Sequence, residues 1–234
     1  PGAQDAVLSS ISFTARPGQT TAIVGSTGSG KSTLISLIPR FYDVTRGTIE
    51  INGHDIRKLA QDELWAQIGF VPQKAFLFSG TVASNLRYGL ETATEDEMWQ
   101  ALSIAQAKEF VSEMTEGLEA PIVQGGSNVS GGQRQRLAIA RALVKRPHIY
   151  VFDDSFSALD FKTDAVLRAA LKREVADATV IIVAQRVSTI LHADQIIVLE
   201  HGTIAGIGTH QELMKTCETY REIVYSQVSE EEVA

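Results

Sequence analysis

The sequence has little cysteine and few aromatic residues, and it has no excess of positive charge. Its one cysteine, Cys217, cannot form an internal disulfide, which favours a reduced, cytosolic setting. A net charge of -7 argues against nucleic acid as the main partner. No apolar run approaches the ~18 residues that a membrane helix needs, and no secretory signal is visible. The 234 residues, 44% of them hydrophobic, support one sizeable globular domain.

Glycine is concentrated in one short stretch, and the rest of the chain is organised around it. The stretch reads Gly25-Ser26-Thr27-Gly28-Ser29-Gly30-Lys31-Ser32-Thr33. It fits the P-loop pattern G-x-x-x-x-G-K-[ST] in full. Residues 20–24 are apolar and β-branched, which predicts a buried strand, and residues 33–38 begin a helical pattern that Pro39 would end or kink. A strand, a glycine loop and a helix are the context that the motif requires.

This loop has the chemistry of a phosphate site. Glycines let backbone N–H groups turn inward and approach a phosphate, and the helix N-terminus adds a partial positive charge. Lys31 would reach the β- and γ-phosphates of a nucleotide, and the Ser32 hydroxyl would sit on Mg²⁺. The alternative is a glycine-rich turn without a ligand, and the complete motif favours the nucleotide site.

The remaining segments alternate between strand and helix patterns. Strands are predicted at residues 7–13, 47–53 (closed by an Asn-Gly turn), 68–73, 149–152, 179–184 and 195–199. Helices are predicted within residues 81–116, where Thr94 and Glu97 form a capping-box pattern, and at residues 134–146 and 165–175. This alternation implies a mostly parallel sheet covered on both faces.

Four further motifs follow the P-loop in a fixed order. They are Gln73 after a strand, Ser130-Gly131-Gly132-Gln133, an apolar strand ending in Asp153, and Ser157-Ala158-Leu159-Asp160. With this set the chain resembles the nucleotide-binding domain of ABC transporters, from near residue 5 to near residue 225. The sequence around Gln73 and residues 77–82 is most similar to exporters whose membrane and nucleotide domains share one polypeptide.

The resemblance implies an α/β fold. Its core would be a P-loop NTPase (RecA-like) with a mostly parallel sheet, an N-terminal antiparallel β part and an inserted α-helical subdomain. We expect the ATP-binding core at about residues 1–73 and 141–228, the helical subdomain at about 74–140, and a polar tail at 229–234. ATP and Mg²⁺ would be the ligands, and the domain would sit on the cytoplasmic face of the cell membrane.

The resemblance also implies a functional role for each motif. For each one, a purely structural role remains as an alternative. Asp153 would hold Mg²⁺ directly or through water, or it caps a helix. Gln73 would contact Mg²⁺ or the attacking water, with its loop facing the transmembrane domains, or it is a solvated strand end. Residues 130–133, the signature loop, would meet the γ-phosphate of ATP on a second nucleotide-binding domain, or they only cap a helix. Asp160 would hydrogen-bond across the dimer interface, or it only forms a turn.

Two positions depart from the family pattern. Hydrolysing members carry Glu after the Walker-B Asp, where this chain has Asp154, one methylene shorter. A shift of ~1 Å can cost ~10²-fold in rate, so we expect Asp154 to be a poor general base. The family places His after the strand at 179–184, where this chain has Gln185, which donates a hydrogen bond but cannot carry a positive charge.

Both departures together resemble one half of a heterodimeric bacterial exporter with a degenerate site. We expect its own site to bind ATP with weak or no hydrolysis, while the signature loop completes the partner's competent site. The alternatives are a homodimer with slow working sites and a regulatory module that keeps ATP bound. Soluble relatives acting on ribosomes or chromosomes usually carry tandem domains or a long insertion, and only 99 positions (130 − 31) separate Lys31 from Ser130.

The start of the chain bears on adenine binding. Because the first residue is Pro1 rather than Met, we expect a piece of a longer protein. In the family the aromatic residue that stacks on adenine often precedes a Pro-Gly pair such as Pro1-Gly2. We therefore expect that residue upstream of Pro1 and weaker ATP binding by this piece than by the longer protein, since base stacking contributes ~1–3 kcal/mol.

Overall fold

The structure, a computed structural model, describes residues 6–231, with side chains to residue 227. The chain divides into two compact units, residues 1–68 with 179–234 and residues 69–178. Pro1 and Gly2, beside which the adenine contact is expected, lie outside the described residues. The expected boundaries of the helical subdomain, near residues 73 and 141, stay a prediction.

Strands and helices alternate through most of the chain. The strands are β1 (Thr20–Gly25), β2 (Glu50–Ile51), β3 (His54–Asp55), β4 (Ile68–Val71), β5 (Gly80–Thr81), β6 (Pro121–Ile122), β7 (Ile149–Asp153), β8 (Thr179–Val183), β9 (Gln195–Glu200) and β10 (Thr203–Gly208). The helices are α1 (Lys31–Leu37), α2 (Gln61–Ala66), α3 (Val82–Arg87), α4 (Glu95–Ile104), α5 (Lys108–Glu113), α6 (Gly131–Val144), α7 (Phe161–Glu174), α8 (His210–Thr216) and α9 (Glu218–Glu231).

A parallel sheet centred on β1 forms the core of the first unit. β8 and β9 flank β1 and run parallel to it, and β10 pairs with β9 in the antiparallel direction. The middle residues of β1 and β9, such as Ala22, Ile23, Ile196 and Ile197, are fully buried. Continuous apolar runs of this kind are typical of parallel strands covered on both faces. The predicted α/β class with a mostly parallel sheet is confirmed.

The antiparallel part of the first unit is smaller than the sequence suggests. β2 and β3 form a short hairpin, and Asn52 and Gly53 take left-handed φ values of 52° and 78° at its turn. This pair of positive φ angles is the signature of a type I′ turn, as the Asn-Gly pair predicts. The strand itself covers only two of the seven expected residues.

The strand predicted at residues 7–13 is wrong. The Ser9 N–H donates to the Gly202 carbonyl over 2.8 Å, but no ladder follows in this described segment. Ser10 has a φ of +54°, which turns the chain out of the extended region. Residues 7–13 thus alternate between apolar and polar side chains, but they do not form the paired strand that usually accompanies such alternation.

The second unit is mostly helical, with β7 next to β4 and a small antiparallel pair, β5 with β6, that the sequence did not suggest. The capping box of Thr94 and Glu97 at α4 is confirmed. α6 and α7 begin three and four residues earlier than predicted, at Gly131 and Phe161. Their caps, Ser130 and Asp160, stand well ahead of the first buried apolar residue, and apolar periodicity therefore places the helix starts too late.

The last helix, which was not predicted from the sequence, runs into the segment expected to be a polar tail. α9 continues to Glu231, so residues 229–231 of the expected tail are helical backbone, and the last three residues lie outside the described part. Among residues 6–231, no helix is both long enough and apolar enough to cross a membrane.

Candidate functional site

The P-loop lies between β1 and α1, as the motif predicts. Gly25 ends β1 with a φ of 154°, and a Cβ atom there would overlap the Leu199 carbonyl oxygen and lie 2.7 Å from the Ser29 hydroxyl. Gly30 caps α1 with a φ of 101°. Neither conformation suits a residue with a side chain, so these glycines are needed for the loop to fold back on itself.

Lys31 lies across the mouth of this loop. Its ammonium Nζ donates to the carbonyl oxygens of Gly25 and Ser26, over 2.7 and 2.8 Å. These bonds hold a positive charge against the main chain of the loop. Ser29 is buried, and its hydroxyl is one of the few buried polar atoms in the described structure with no hydrogen-bond partner. Glycine main chain, a tethered ammonium and serine hydroxyls are the donor set that a nucleotide phosphate requires.

Gln185 belongs to the same edge of the sheet as the P-loop. β8 runs parallel to β1 with Val183 opposite Ile23, and the Ala184 N–H donates to the Ile23 carbonyl over 3.2 Å. The segments that follow β1 and β8 therefore leave the sheet at the same edge. Gly25 is the last residue of β1, and Gln185 comes directly after Ala184. The Gln185 side chain is exposed. In open α/β sheets ligands bind outside the carboxyl ends of the strands, where this residue stands.

In the second unit, the structure brings Gln73 and Asp154 together. Asp153 ends β7, and Asp154 follows in the left-handed region with a φ of 46°. Asp154 is only 6% exposed, and the Gln73 amide nitrogen Nε2 donates to its Oδ2 over 3.2 Å. Two residues that the family pattern assigns to the same chemical step are thus in direct contact, although 81 positions separate them in the sequence.

Two neighbours that were not among the predicted site residues anchor the segments carrying this pair. The buried Ser155 hydroxyl donates to the Val71 carbonyl over 2.9 Å, and so ties the turn after β7 to the end of β4. Gln135 on α6 is buried, and its amide reaches the Pro72 carbonyl over 3.5 Å. A serine directly after the paired acids was the one available hint, because short hydroxyl residues often bond the main chain at such turns.

The signature loop forms the start of α6. Ser130 caps the helix, since the Gln133 N–H donates to its hydroxyl over 3.1 Å and the Ser130 N–H donates to the Gln133 carboxamide oxygen over 2.9 Å. Ser130 and Gly131 are exposed. The capping function, one of the two readings of this motif, is therefore present. It does not compete with ligand binding, because a helix N-terminus has four N–H groups to satisfy.

Asp160 occupies the equivalent position at α7. Its carboxylate accepts hydrogen bonds from the Thr163 N–H and hydroxyl, over 2.9 and 2.7 Å. The bond from the Thr163 backbone is the main reason that the pKa of Asp160 is lowered, followed by the bond from the hydroxyl. The carboxylate is exposed and ionised at neutral pH, and it remains open to a second donor.

The residues present suit ATP with Mg²⁺. Mg²⁺ in such sites is usually bound through one or two carboxylates together with phosphate oxygens. Ser32 in the first unit offers a hydroxyl and Asp153 in the second a carboxylate, each an oxygen ligand of a type that Mg²⁺ accepts. Among the described residues, no group of three or more His, Cys, Asp or Glu side chains is placed to hold a metal by itself.

Comparison with known proteins agrees with this geometry. Residues 8–157 match the family model described as ABC transporter. An uncharacterised ABC transporter ATP-binding protein of Mycobacterium tuberculosis is 58% identical over 230 residues, 97% of this chain and 39% of that protein. The ATP-dependent lipid A-core flippase of Xanthomonas campestris is 44% identical over 215 residues, which are 92% of this chain and 36% of the flippase.

A solved structure gives the same result for the fold. The structure of a bacterial Atm1-family ABC exporter with ATP bound superimposes with a TM-score of 0.93 at 37% identity, covering 97% of this chain and 40% of the exporter chain. The chain thus spans less than half the length of the relatives that it matches. The P-loop NTPase fold of the ABC type is confirmed, and the chain belongs to the ABC transporter family as an ATP-binding domain with exporter-type relatives.

Proposed function

We propose that this domain drives a membrane exporter by dimerising around ATP with a second nucleotide-binding domain, and that its own site hydrolyses ATP slowly or not at all. The observation that carries the proposal is the contrast between a complete P-loop and signature loop and the changes at Asp154 and Gln185. ATP closes the dimer, closure reorients the membrane domains, and hydrolysis at the partner's site resets them.

The surroundings of Asp154 support a weak site. Its carboxylate is buried and bonded to Gln73, so it has little freedom to move toward a water molecule. Its side chain is one methylene shorter than the Glu of hydrolysing members. Since a misplacement of ~1 Å can cost ~10²-fold in rate, the short reach alone accounts for slow hydrolysis.

The chemistry of Gln185 points in the same direction. A histidine at this place can carry a positive charge toward a phosphate, whereas a carboxamide offers only neutral hydrogen bonds. Hydrogen bonds from charged donors are roughly twice as strong as neutral ones. The site therefore keeps an ATP contact and loses part of the stabilisation of developing negative charge.

For nucleotide binding, we assign the phosphates to the residues of the P-loop (Gly25, Ser26, Thr27, Gly28, Ser29, Gly30, Lys31, Ser32, Thr33). Ser32 and Asp153 would hold Mg²⁺, with Gln73 beside them. Bound there, Mg²⁺ neutralises the charge of the β- and γ-phosphates. Ser130, Gly131, Gly132 and Gln133 would serve the nucleotide of the partner domain, with Asp160 bonding across the dimer interface.

An exposed aromatic cluster in the second unit supports a transmembrane partner. Phe76, Phe78 and Tyr88 are 40–63% exposed, and the Phe78 ring contacts the rings of the other two. Arg141 lies over the Phe78 ring at 5.6 Å and donates to the Phe76 carbonyl over 3.0 Å. An exposed apolar patch beside the Gln73 loop is typical of a protein interface. We infer that it docks the transmembrane domains at the cytoplasmic face of the membrane.

The test restores the two departures together. In the full-length transporter, Asp154→Glu with Gln185→His should raise ATP turnover at this site by up to ~10²-fold, if geometry and charge are what limit it. Asp177→Glu, which lengthens an exposed Asp by the same methylene, is the control and should change nothing. An unchanged rate in the double variant would reject the degenerate site.

The partner is identified separately. Mass spectrometry of the transporter purified from its native membrane should find, in equal amount, a different chain with Glu and His at the positions of Asp154 and Gln185. Recovery of this chain alone would mean a homodimer, in which Asp154 has to act as the working base.

A further inference from the structure

The side chain of Gln227, on α9, bridges the main chain that follows β8. Its carboxamide nitrogen Nε2 donates to the Gln185 carbonyl over 2.6 Å, and its oxygen Oε1 accepts from the Val187 N–H over 2.6 Å. Gln227 is 42 and 40 positions away from these residues in the sequence. One side chain thus satisfies a main-chain acceptor and a main-chain donor on either side of Arg186.

This bridge has the form of a strand pairing. In a parallel ladder, one residue donates to the carbonyl of residue i−1 and accepts from the N–H of residue i+1 on its neighbour. The Gln227 carboxamide does the same around Arg186, whose φ of −94° and ψ of 126° are extended. The segment has left the sheet by this point, because β8 ends at Val183. Gln227 therefore supplies the support that the sheet no longer gives.

The location links this bridge to the nucleotide site. Gln185 stands at the carboxyl edge of β8, next to β1 and the P-loop that follows it. Its carbonyl is held by Gln227, while its side chain is exposed. Fixing the two peptide units around Arg186 restricts the backbone angles that aim the Gln185 side chain.

We propose that Gln227 is a positioning residue for the nucleotide site, which holds the 185–187 segment so that Gln185 stands where the terminal phosphate of bound ATP lies. The proposal rests on the proposed function for the ATP contact of Gln185. Under this proposal, helix α9 helps the nucleotide site to bind ATP in preference to ADP.

The first arm of the test does not depend on ATP binding. Gln227→Met removes the carboxamide and nearly keeps the size of the side chain. In the full-length protein, hydrogen exchange of the Val187 amide should become roughly two- to tenfold faster, the weight of one lost hydrogen bond. Gln67→Met is the matched control, because Gln67 also donates a carboxamide hydrogen bond to a carbonyl, that of Glu63, over 3.2 Å. An unchanged exchange rate in Gln227→Met would overturn the bridge.

The second arm compares nucleotides. Binding of azido-ATP and azido-ADP is measured by photolabelling mapped to this chain. Gln227→Met should lower the preference for ATP over ADP by roughly tenfold and leave ADP affinity unchanged, since only the terminal phosphate contact is disturbed. A purely structural role would weaken both nucleotides equally, and that result, or no change in either, would overturn the positioning role. If the unmodified protein binds no ATP, the proposed function fails, while the exchange arm still decides on the bridge.

A second variant separates the two halves of the bridge. Gln227→Glu keeps an oxygen acceptor for the Val187 N–H and replaces the donor that faces the Gln185 carbonyl with a carboxylate oxygen. We expect Val187 to stay protected while the ATP preference falls. If Gln227→Glu keeps both the protection of the Val187 amide and the normal preference for ATP over ADP, the hydrogen bond to the Gln185 carbonyl has no positioning role.

Discussion

Substituting Gly131 with alanine separates what the signature loop does for this chain from what it is proposed to do for a partner. Gly131 is the first residue of α6 and its φ lies outside the left-handed region. In the described structure no heavy atom lies within 4 Å of the place of a Cβ there, apart from chain neighbours and its own helix backbone. Alanine favours a helix over glycine by about 0.5–1 kcal/mol. Gly131→Ala should therefore leave the free energy of unfolding unchanged or raise it by up to about 1 kcal/mol.

Gly131→Ala should lower the ATPase activity of the assembled transporter, although it leaves stability unchanged or raises it. In the proposed dimer, the N–H groups at the start of α6 approach a phosphate on the partner domain. The methyl group of Gly131→Ala would stand between those N–H groups and the phosphate. A displacement of ~1 Å at such a contact can cost ~10²-fold in rate. We expect ATP turnover at the partner's site to fall by about that factor in a variant that is fully folded.

Urea denaturation and ATP turnover of the same preparation provide the assay. Gly89→Ala is the contrasting variant, because a Cβ there would overlap the Arg141 carbonyl oxygen in the same unit. It should lose about 1–3 kcal/mol through overpacking. The reasoning is refuted if Gly131→Ala destabilises the protein as much as Gly89→Ala, or if it is stable and hydrolyses ATP at the normal rate.

Two further predictions concern the second unit. Asp164→Asn should cost about 1–3 kcal/mol in urea denaturation, because Asp164 is 4% exposed and holds Arg168 through two 2.9 Å bonds. The cost falls below the 3–5 kcal/mol of a fully buried pair since Arg168 is 26% exposed, and a change under about 0.5 kcal/mol would contradict it. Phe78→Ser should cost about 1–3 kcal/mol in stability, because Phe78 is part-buried and contacts two other rings as well as Arg141, and it should abolish coupling of ATP turnover to transport in the folded full-length protein. Normal transport by that variant would argue against the aromatic cluster as the docking surface.

The features that the sequence predicted correctly have local physical causes. The P-loop needs a buried strand before it and a helix after it, and all three are read from consecutive residues. The capping box of Thr94 and Glu97 depends on side chains three residues apart, and the Asn52-Gly53 turn on two neighbours that both tolerate a positive φ. Such signals depend little on the rest of the fold.

The features that it missed depend on partners far away in the chain. Residues 7–13 have the alternation of a strand, but strand formation needs a neighbour that continues beyond the one bond to Gly202. The β5–β6 pair joins Gly80 to Ile122 through two-residue strands too short to leave any periodicity. Gln227 belongs to no motif and has its effect across 42 positions. In each case the sequence shows which interactions a residue is able to form, and only the fold shows which partner lies next to it.

The glycines of the two loops differ in a way that bears on the proposed dimer. At Gly25 the chain's own fold excludes any side chain, because Leu199 and Ser29 occupy the space. At Gly131 the space is open, and at Gly132 a Cβ would make an ordinary 3.5 Å contact with the Ala158 carbonyl oxygen. A glycine that the fold does not require lowers helix stability, and the proposed dimer gives a reason for it, because there a group approaches from outside the chain. In that proposed dimer, a phosphate on the second nucleotide-binding domain would approach the N–H groups of α6 and would account for both glycines at once.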